Sequence, residues 1–258
     1  MQTFENVIVR RPCHAMLNGI TTSPELGTVD YDNALRQHDS YIEALKKTGV
    51  AVTVLEADER YPDSCFVEDP AIITPYCAII TNPGTTSRNG EKDEIIGAIR
   101  KFFPDDKIFY IHAPATMEGG DVMLIDDTYY VGISRRTNVD GFVQFRAIVE
   151  QFGLKAIAVP VTDILHLKTG VVYVSDGHML IGGEFKTRPE FDKFDKFEVP
   201  DEEAYGANVI FMNGKVIVAE GYPTVLAKLK EWGYETVVAD TSEYKKIDGG
   251  LTCLSLRF

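Results

Sequence analysis

Cys253 follows the pair Gly249-Gly250, and an apolar/polar alternation runs from it to Phe258. Paired glycines let a backbone take strained turns and come close to a ligand, so the thiol is a candidate nucleophile at the mouth of a strand. A lone cysteine is more often a buried packing residue, and its weight depends on what else the chain supplies. His166, in Ile164-Leu165-His166-Leu167-Lys168-Thr169-Gly170, reads as a histidine on an apolar strand. A thiol and an imidazole together can do acyl-type chemistry with no metal, and His166 lacks the HxH or HxxxH company of a zinc ligand. Neither metal nor cofactor is expected. Glu118 lies in Met117-Glu118-Gly119-Gly120-Asp121, whose glycine pair echoes the one before Cys253.

Two further sets would hold a ligand. Asp63-Ser64-Cys65-Phe66-Val67-Glu68-Asp69 places three carboxylates beside the apolar run Ala71-Ile72-Ile73. The segment reads as strand-like and partly buried, with Glu68 and Asp69 facing opposite sides. Buried carboxylates need partners or a cationic ligand. Arg88 and Arg136 sit in polar loops, where a guanidinium fork suits a substrate carboxylate.

The elements that must position these residues follow one pattern: amphipathic helix, glycine, strand. Tyr31 to Lys47 reads as a helix capped by Asp30 and stopped at Gly49, with a strand over 50–55. The same pattern recurs over 142–161 and 225–238, and over 94–111 with Pro104 in place of the glycine. Hairpin turns are expected at Asp126-Asp127, Asp176-Gly177 and Asn213-Gly214. Glu68, Glu118 and His166 succeed one another at intervals of roughly fifty residues, and the longer interval to Cys253 leaves room for one more unit. Such a period implies about five similar units. A closed ring would gather one reactive residue per unit at one end of its axis, and an open α/β sheet is the alternative.

The 258 residues carry a formal charge of −13, which disfavours nucleic acid and anionic membranes and suits a cationic small molecule. No apolar run approaches the ~18 residues of a spanning helix, and the first residues lack a signal-peptide pattern. Four cysteines without CxxC spacing point to reduced thiols and a cytoplasmic protein, with Cys13, Cys65 and Cys77 as packing residues.

Phe66-Val67-Glu68-Asp69, Met117-Glu118-Gly119-Gly120-Asp121, Ser134-Arg135-Arg136-Thr137-Asn138, His166-Leu167-Lys168-Thr169 and Asp248-Gly249-Gly250-Leu251-Thr252-Cys253, in that order, resemble the dimethylarginine dimethylaminohydrolase family. The resemblance implies the pentein fold, a five-bladed α/β propeller of ββαβ units, formed here by residues 1–258 as one domain. It places the nucleophile at Cys253, the general acid/base at His166 and a catalytic glutamate at Glu118. Asp63 and Asp69, together with Glu118, would take the N–H groups of a guanidinium, with Glu68 beside them at the substrate. Arg88 and Arg136 would hold the amino-acid end. The carbonyls of Ile20, on a lid loop, and of Ile247 would meet the α-amino group. The implied reaction converts an Nω-methylated arginine to citrulline and a methylamine through a thiouronium on Cys253. The implied partner is that cationic guanidino amino acid, with a homodimer left open.

Two other readings stay open at this stage. Arginine deiminases and amidinotransferases use a similar set of residues in longer chains. A non-catalytic pentein, such as the ribosome-associated translation factor of this fold, would have no use for Cys253, His166 and Glu118 together.

Overall fold

The computed structural model describes residues 3–258. In chain order the first elements are β1 (Asn6–Arg10), α1 (Tyr31–Lys46) and β2 (Ala51–Leu55). Next come β3 (Ala71–Ile73), β4 (Ala78–Ile80), α2 (Glu91–Ile99) and β5 (Ile108–Tyr110), then β6 (Val122–Ile125), β7 (Thr128–Ile133), α3 (Val139–Val149) and β8 (Lys155–Pro160). The one-turn helix α4 (Leu167–Gly170) leads into β9 (Val171–Tyr173), β10 (His178–Ile181) and β11 (Asp195–Glu198). β12 (Ile210–Met212), β13 (Lys215–Ala219), α5 (Pro223–Glu231) and β14 (Glu235–Ala239) follow, and α6 (Ser242–Lys245) and β15 (Leu256–Arg257) end the series.

These strands form five three-stranded sheets, each with one antiparallel and one parallel pairing about its middle strand. Four sheets are contiguous in sequence. The fifth joins the two ends of the chain: β15 pairs antiparallel with β1 (Val7 opposite Arg257), and β1 pairs parallel with β2. Five apolar clusters fill the interfaces between neighbouring sheets. The cluster of Ile8, Ile80 and Leu256 joins the terminal sheet to the β3–β5 sheet, and that of Val7, Ile217 and Val237 joins it to the β12–β14 sheet. The other three clusters complete the circuit. β3, β6, β9, β12 and β15 all border one axial cavity of about 190 Å³. The fold is therefore a five-bladed α/β propeller, as the repeat period and the resemblance led one to expect.

Local chemistry explains most of the elements. Asp30 caps α1 by accepting the Asn33 N–H at 3.0 Å, and Gly49 beyond its end is left-handed at φ 88°. Asp176-Gly177 and Asn213-Gly214 turn their hairpins with both residues left-handed, φ 52° and 85° and φ 51° and 85°. Three segments differ from their sequence reading. The blade of β9–β11 has no helix: Gly182-Gly183 and Pro189 leave only 3₁₀ turns at Gly183–Phe185 and Pro189–Phe191. Residues 62–70 form consecutive turns instead of a strand. His166 is the N-cap residue of α4 and not a strand residue.

Candidate active site

The segment entering each inner strand delivers one part of the site to the same end of the axis. Residues 62–70 lead into β3, Glu118 into β6, His166 into β9, Asn208 into β12 and Cys253 into β15. Cys253 lies in a 3₁₀ turn, Thr252–Leu254, and its Sγ accepts the Gly250 N–H at 3.5 Å. The nucleophile candidate is therefore held in a turn before the strand. Gly249 is forced by packing: a Cβ there would stand 2.2 Å from the Phe66 ring. Gly120 meets a similar demand, since its Cβ would approach His166 Nδ1 to 2.7 Å.

His166 Nε2 is 2.7 Å from Glu118 Oε2, and both side chains are buried. Glu118 also accepts from Arg136 Nη1 at 3.2 Å and from the Gly84 N–H at 3.1 Å. With its oxygens so engaged, Glu118 is placed to orient the imidazole. Burial pushes its carboxyl up, but the hydrogen bond and charge of His166, with Arg88 and Arg136, outweigh burial and hold it below the usual range. Burial by itself would favour a neutral His166. Asp69, Glu118 and Asp121 overcome it and raise the imidazole to about 9. Asp121, fully buried, accepts from Leu167 N at 2.9 Å and from Ser134 Oγ and Thr137 Oγ1, both at 2.7 Å. It thereby fixes both the start of α4 and the loop that carries Arg136.

Asp63 and Asp69 border the cleft together with His166 and Cys253. Asp63 Oδ1 accepts the Ile20 N–H at 3.1 Å, which draws the 19–28 loop over the cleft, and burial raises its carboxyl. Asp69 Oδ1 accepts the Gly120 N–H at 3.1 Å and lies 4.0 Å from His166 Nε2. Ile20 and Ile247 also line the cleft, and among the described residues neither carbonyl accepts a backbone hydrogen bond outside regular elements. Burial and the negative charges of Glu68 and Asp69 push the Cys253 thiol up to about 12. Free volume in the inner cleft is about 20 Å³. It adjoins a larger cavity of about 490 Å³, and Arg136, Asp248 and Cys253 border both.

The other assigned residues, Glu68, Arg88 and Arg136, make extensive contacts within the protein. The carboxylate of Glu68 turns away from the cleft into the axial cavity, where Lys168 Nζ at 2.6 Å and Arg257 Nη2 at 2.5 Å share its Oε1. Arg88 is buried with its fork committed to the protein, donating to Asp69 at 2.6 Å, to Glu91 at 2.8 and 3.0 Å and to the Phe66 carbonyl at 3.1 Å. It lines the cleft and staples the 62–70 turns to α2, its donors taken by Asp69, Glu91 and Phe66 O in this conformation. Arg136 borders the cleft while Arg135 faces solvent. Asp69, Glu118 and His166 bring potential metal-ligating atoms within 4.8 Å of one another. Arg88 and Arg136 already neutralise those carboxylates, so the donor set suits an imidazolium better than a metal ion. Asp121, Lys168, Asn208 and Arg257 received no role from sequence reasoning, although Asp121 and Lys168 lie inside the motifs that were singled out.

With this geometry in hand, the chain can be set beside known proteins. The family profile described as "N,N dimethylarginine dimethylhydrolase, eukaryotic" matches residues 24–186. N(G),N(G)-dimethylarginine dimethylaminohydrolase of Pseudomonas aeruginosa is 47% identical over 99% of this chain and 100% of its own. The protein of that name from Streptomyces coelicolor is 35% identical over 98% of this chain and 96% of its own. The solved structure of a cysteine-to-serine mutant of the Pseudomonas aeruginosa enzyme complexed with citrulline superposes with a TM-score of 0.98 at 46% identity, covering 100% of both chains. Fold, motif order and full-length identity agree, and the chain belongs to the dimethylarginine dimethylaminohydrolase family.

Proposed function

We propose that the protein hydrolyses an Nω-methylated arginine to citrulline and a methylamine, within a single catalytic domain, with Cys253 as nucleophile and His166 as general acid and then base. The observation that carries this reading is the convergence of Cys253, the Glu118-bonded His166 and the carboxylates of Asp63 and Asp69 on one small cleft. A guanidinium is resonance-stabilised and a poor electrophile. It must be held as a cation and attacked by a thiolate. Asp63 and Asp69 supply the negative surroundings that hold it.

Those surroundings keep the resting thiol protonated. A bound guanidinium reverses the local field, and the thiol proton leaves to solvent. Sγ then bonds to the guanidinium carbon, giving a tetrahedral adduct. The imidazolium of His166, sustained by Glu118, passes its proton to the departing amine as the C–N bond breaks. A thiouronium remains on Cys253. Neutral His166 takes a proton from water as the water oxygen attacks the same carbon, the C–S bond breaks, and citrulline departs. Net charge balances: a cation and water give neutral citrulline and an ammonium ion.

The 19–28 loop, pinned by Ile20 N to Asp63 and by Thr22 N and Oγ1 to Asp248 at 2.7 and 3.0 Å, closes the cleft and must open to admit substrate. The test is incubation with asymmetric dimethylarginine, monomethylarginine and arginine, assaying ureido product and free amine. The expected result is turnover of the methylated substrates and a Cys253 adduct by mass spectrometry, with Cys253→Ser inactive. Absence of product from either methylated arginine across pH 6–9 would overturn the substrate assignment.

A further inference from the structure

The turn that carries Cys253 is too short to hold itself. Three 3₁₀ residues make few bonds of their own, and the carbonyls around them need outside donors. Arg257 supplies them. Its Nη1 donates to Thr252 O at 2.8 Å, to Ser255 O at 3.1 Å and to Ser255 Oγ at 2.8 Å, gripping the chain on both sides of Cys253. Its Nη2 donates to Glu68 Oε1, and the Glu68 N–H donates in turn to the Cys253 carbonyl at 3.2 Å. The result is a closed loop of bonds around the nucleophile. Arg257 and Glu68 are both largely buried, with side chains 15% and 4% exposed. The same Glu68 oxygen binds Lys168, two residues beyond His166 on α4. One carboxylate thus ties the nucleophile turn to the helix that presents the acid/base.

We propose that Arg257 is a positioning residue for the nucleophile, which acts by fixing the Cys253 turn against Glu68 and so against α4. The inference rests on Cys253 being the nucleophile of the proposed reaction. Arg257 touches none of the reacting atoms. A lysine could meet Glu68 but could not span both carbonyls, since it offers a compact ammonium in place of a planar fork. A glutamine would lose the charge as well. Displacing a nucleophile by about 1 Å costs on the order of 100-fold in rate. A displaced attacking atom lowers kcat and leaves ground-state binding in place.

The experiment compares wild type with Arg257→Gln and Arg257→Lys. It measures kcat and KM for dimethylarginine, citrulline affinity in a Cys253→Ser background, and the rate of Cys253 alkylation by iodoacetamide against pH. Arg257→Gln is expected to lower kcat about 100-fold with KM within about threefold. Its citrulline affinity should be retained, and its alkylation profile moved to higher pH because Glu68, beside the thiol, keeps Lys168 but loses the second of its two cationic partners. Arg257→Lys is expected to keep the alkylation profile near wild type and still lose about tenfold in kcat, because charge is restored without the fork. Wild-type kcat in Arg257→Gln would overturn the proposal, as would a kcat loss matched by an equal loss of citrulline affinity. If Arg257→Gln fails to fold, wild-type kcat in Arg257→Lys overturns it in the same way. A wild-type enzyme inactive on methylated arginines would overturn the proposed function instead. The alkylation measurement needs no substrate, and a rate and pH profile unchanged in Arg257→Gln would then overturn the proposal.

Discussion

Glu118 and His166 form a buried ion pair whose two members titrate in opposite senses. His166 is raised from 6.5 to about 9 in the folded protein. Its contribution to stability is therefore complete below pH 6.5 and is lost as pH climbs through about 9. Glu118 is depressed, so its share is present above its unfolded value of 4.5 and is lost as pH falls through its lowered folded value. The free energy of unfolding, followed by denaturant titration, is expected to decline from pH 6.5 to 9 in wild type. That decline should be much shallower in Glu118→Gln. The same variant is expected to lose on the order of 100-fold in kcat, as befits a general acid deprived of its orienting carboxylate. An equally steep decline in the variant would mean that other groups govern this pH range. Cys253 and Glu118 were legible as chemistry because residue type and a neighbouring glycine pair announce them. The ion pairs of Arg88 were not legible for a physical reason: Asp69 and Phe66 O lie roughly twenty residues before it, Glu91 lies on the following helix, and nothing in its own loop signals the meeting.

At the scale of elements, the hairpins and the helix–glycine–strand units were readable because their determinants are local: a cap at Asp30, left-handed turns at Asp176-Gly177 and Asn213-Gly214. The turns over 62–70 and the single turn of α4 were not. Both are held by distant side chains, Arg88 in the first case and Asp121 in the second. Reading them as strand followed naturally from their apolar neighbours. β15 has two residues, yet it carries Leu256 into the core and Arg257 into the clamp. Deleting the five residues after Cys253 keeps the nucleophile and removes both. Activity is expected to fall below about 1% of wild type, consistent with a misplaced nucleophile. The melting temperature should drop as well, since the β1–β15 pairing is gone. Deleting six residues removes Cys253 too and is expected to abolish activity outright. A five-residue truncation with wild-type turnover would show that the tail neither scaffolds nor positions. Thermal melts alongside the activity assay separate the two contributions.

Across the whole molecule, the roughly fifty-residue period foretold the number of blades, because each blade is a self-similar unit that can bury its faces only against its neighbours. What the period could not carry is which strands close the circle. Val7 and Arg257 pair across almost the full length of the chain. Contacts that distant form late in folding, because the loop they close must lose its entropy before any contact rewards it. The four contiguous blades depend on far shorter closures. During refolding, helical ellipticity is therefore expected to recover well before Cys253 becomes able to take up a mechanism-based label. A rapid-quench labelling series run beside stopped-flow circular dichroism measures the gap, and coincident recovery would mean that the seam is not the last part to close. The Cys253 thiol sits on that seam, with its clamp made by the closing strand itself. Topology thus sets a kinetic order: a partly folded chain can hold most of its native architecture and still be chemically inert.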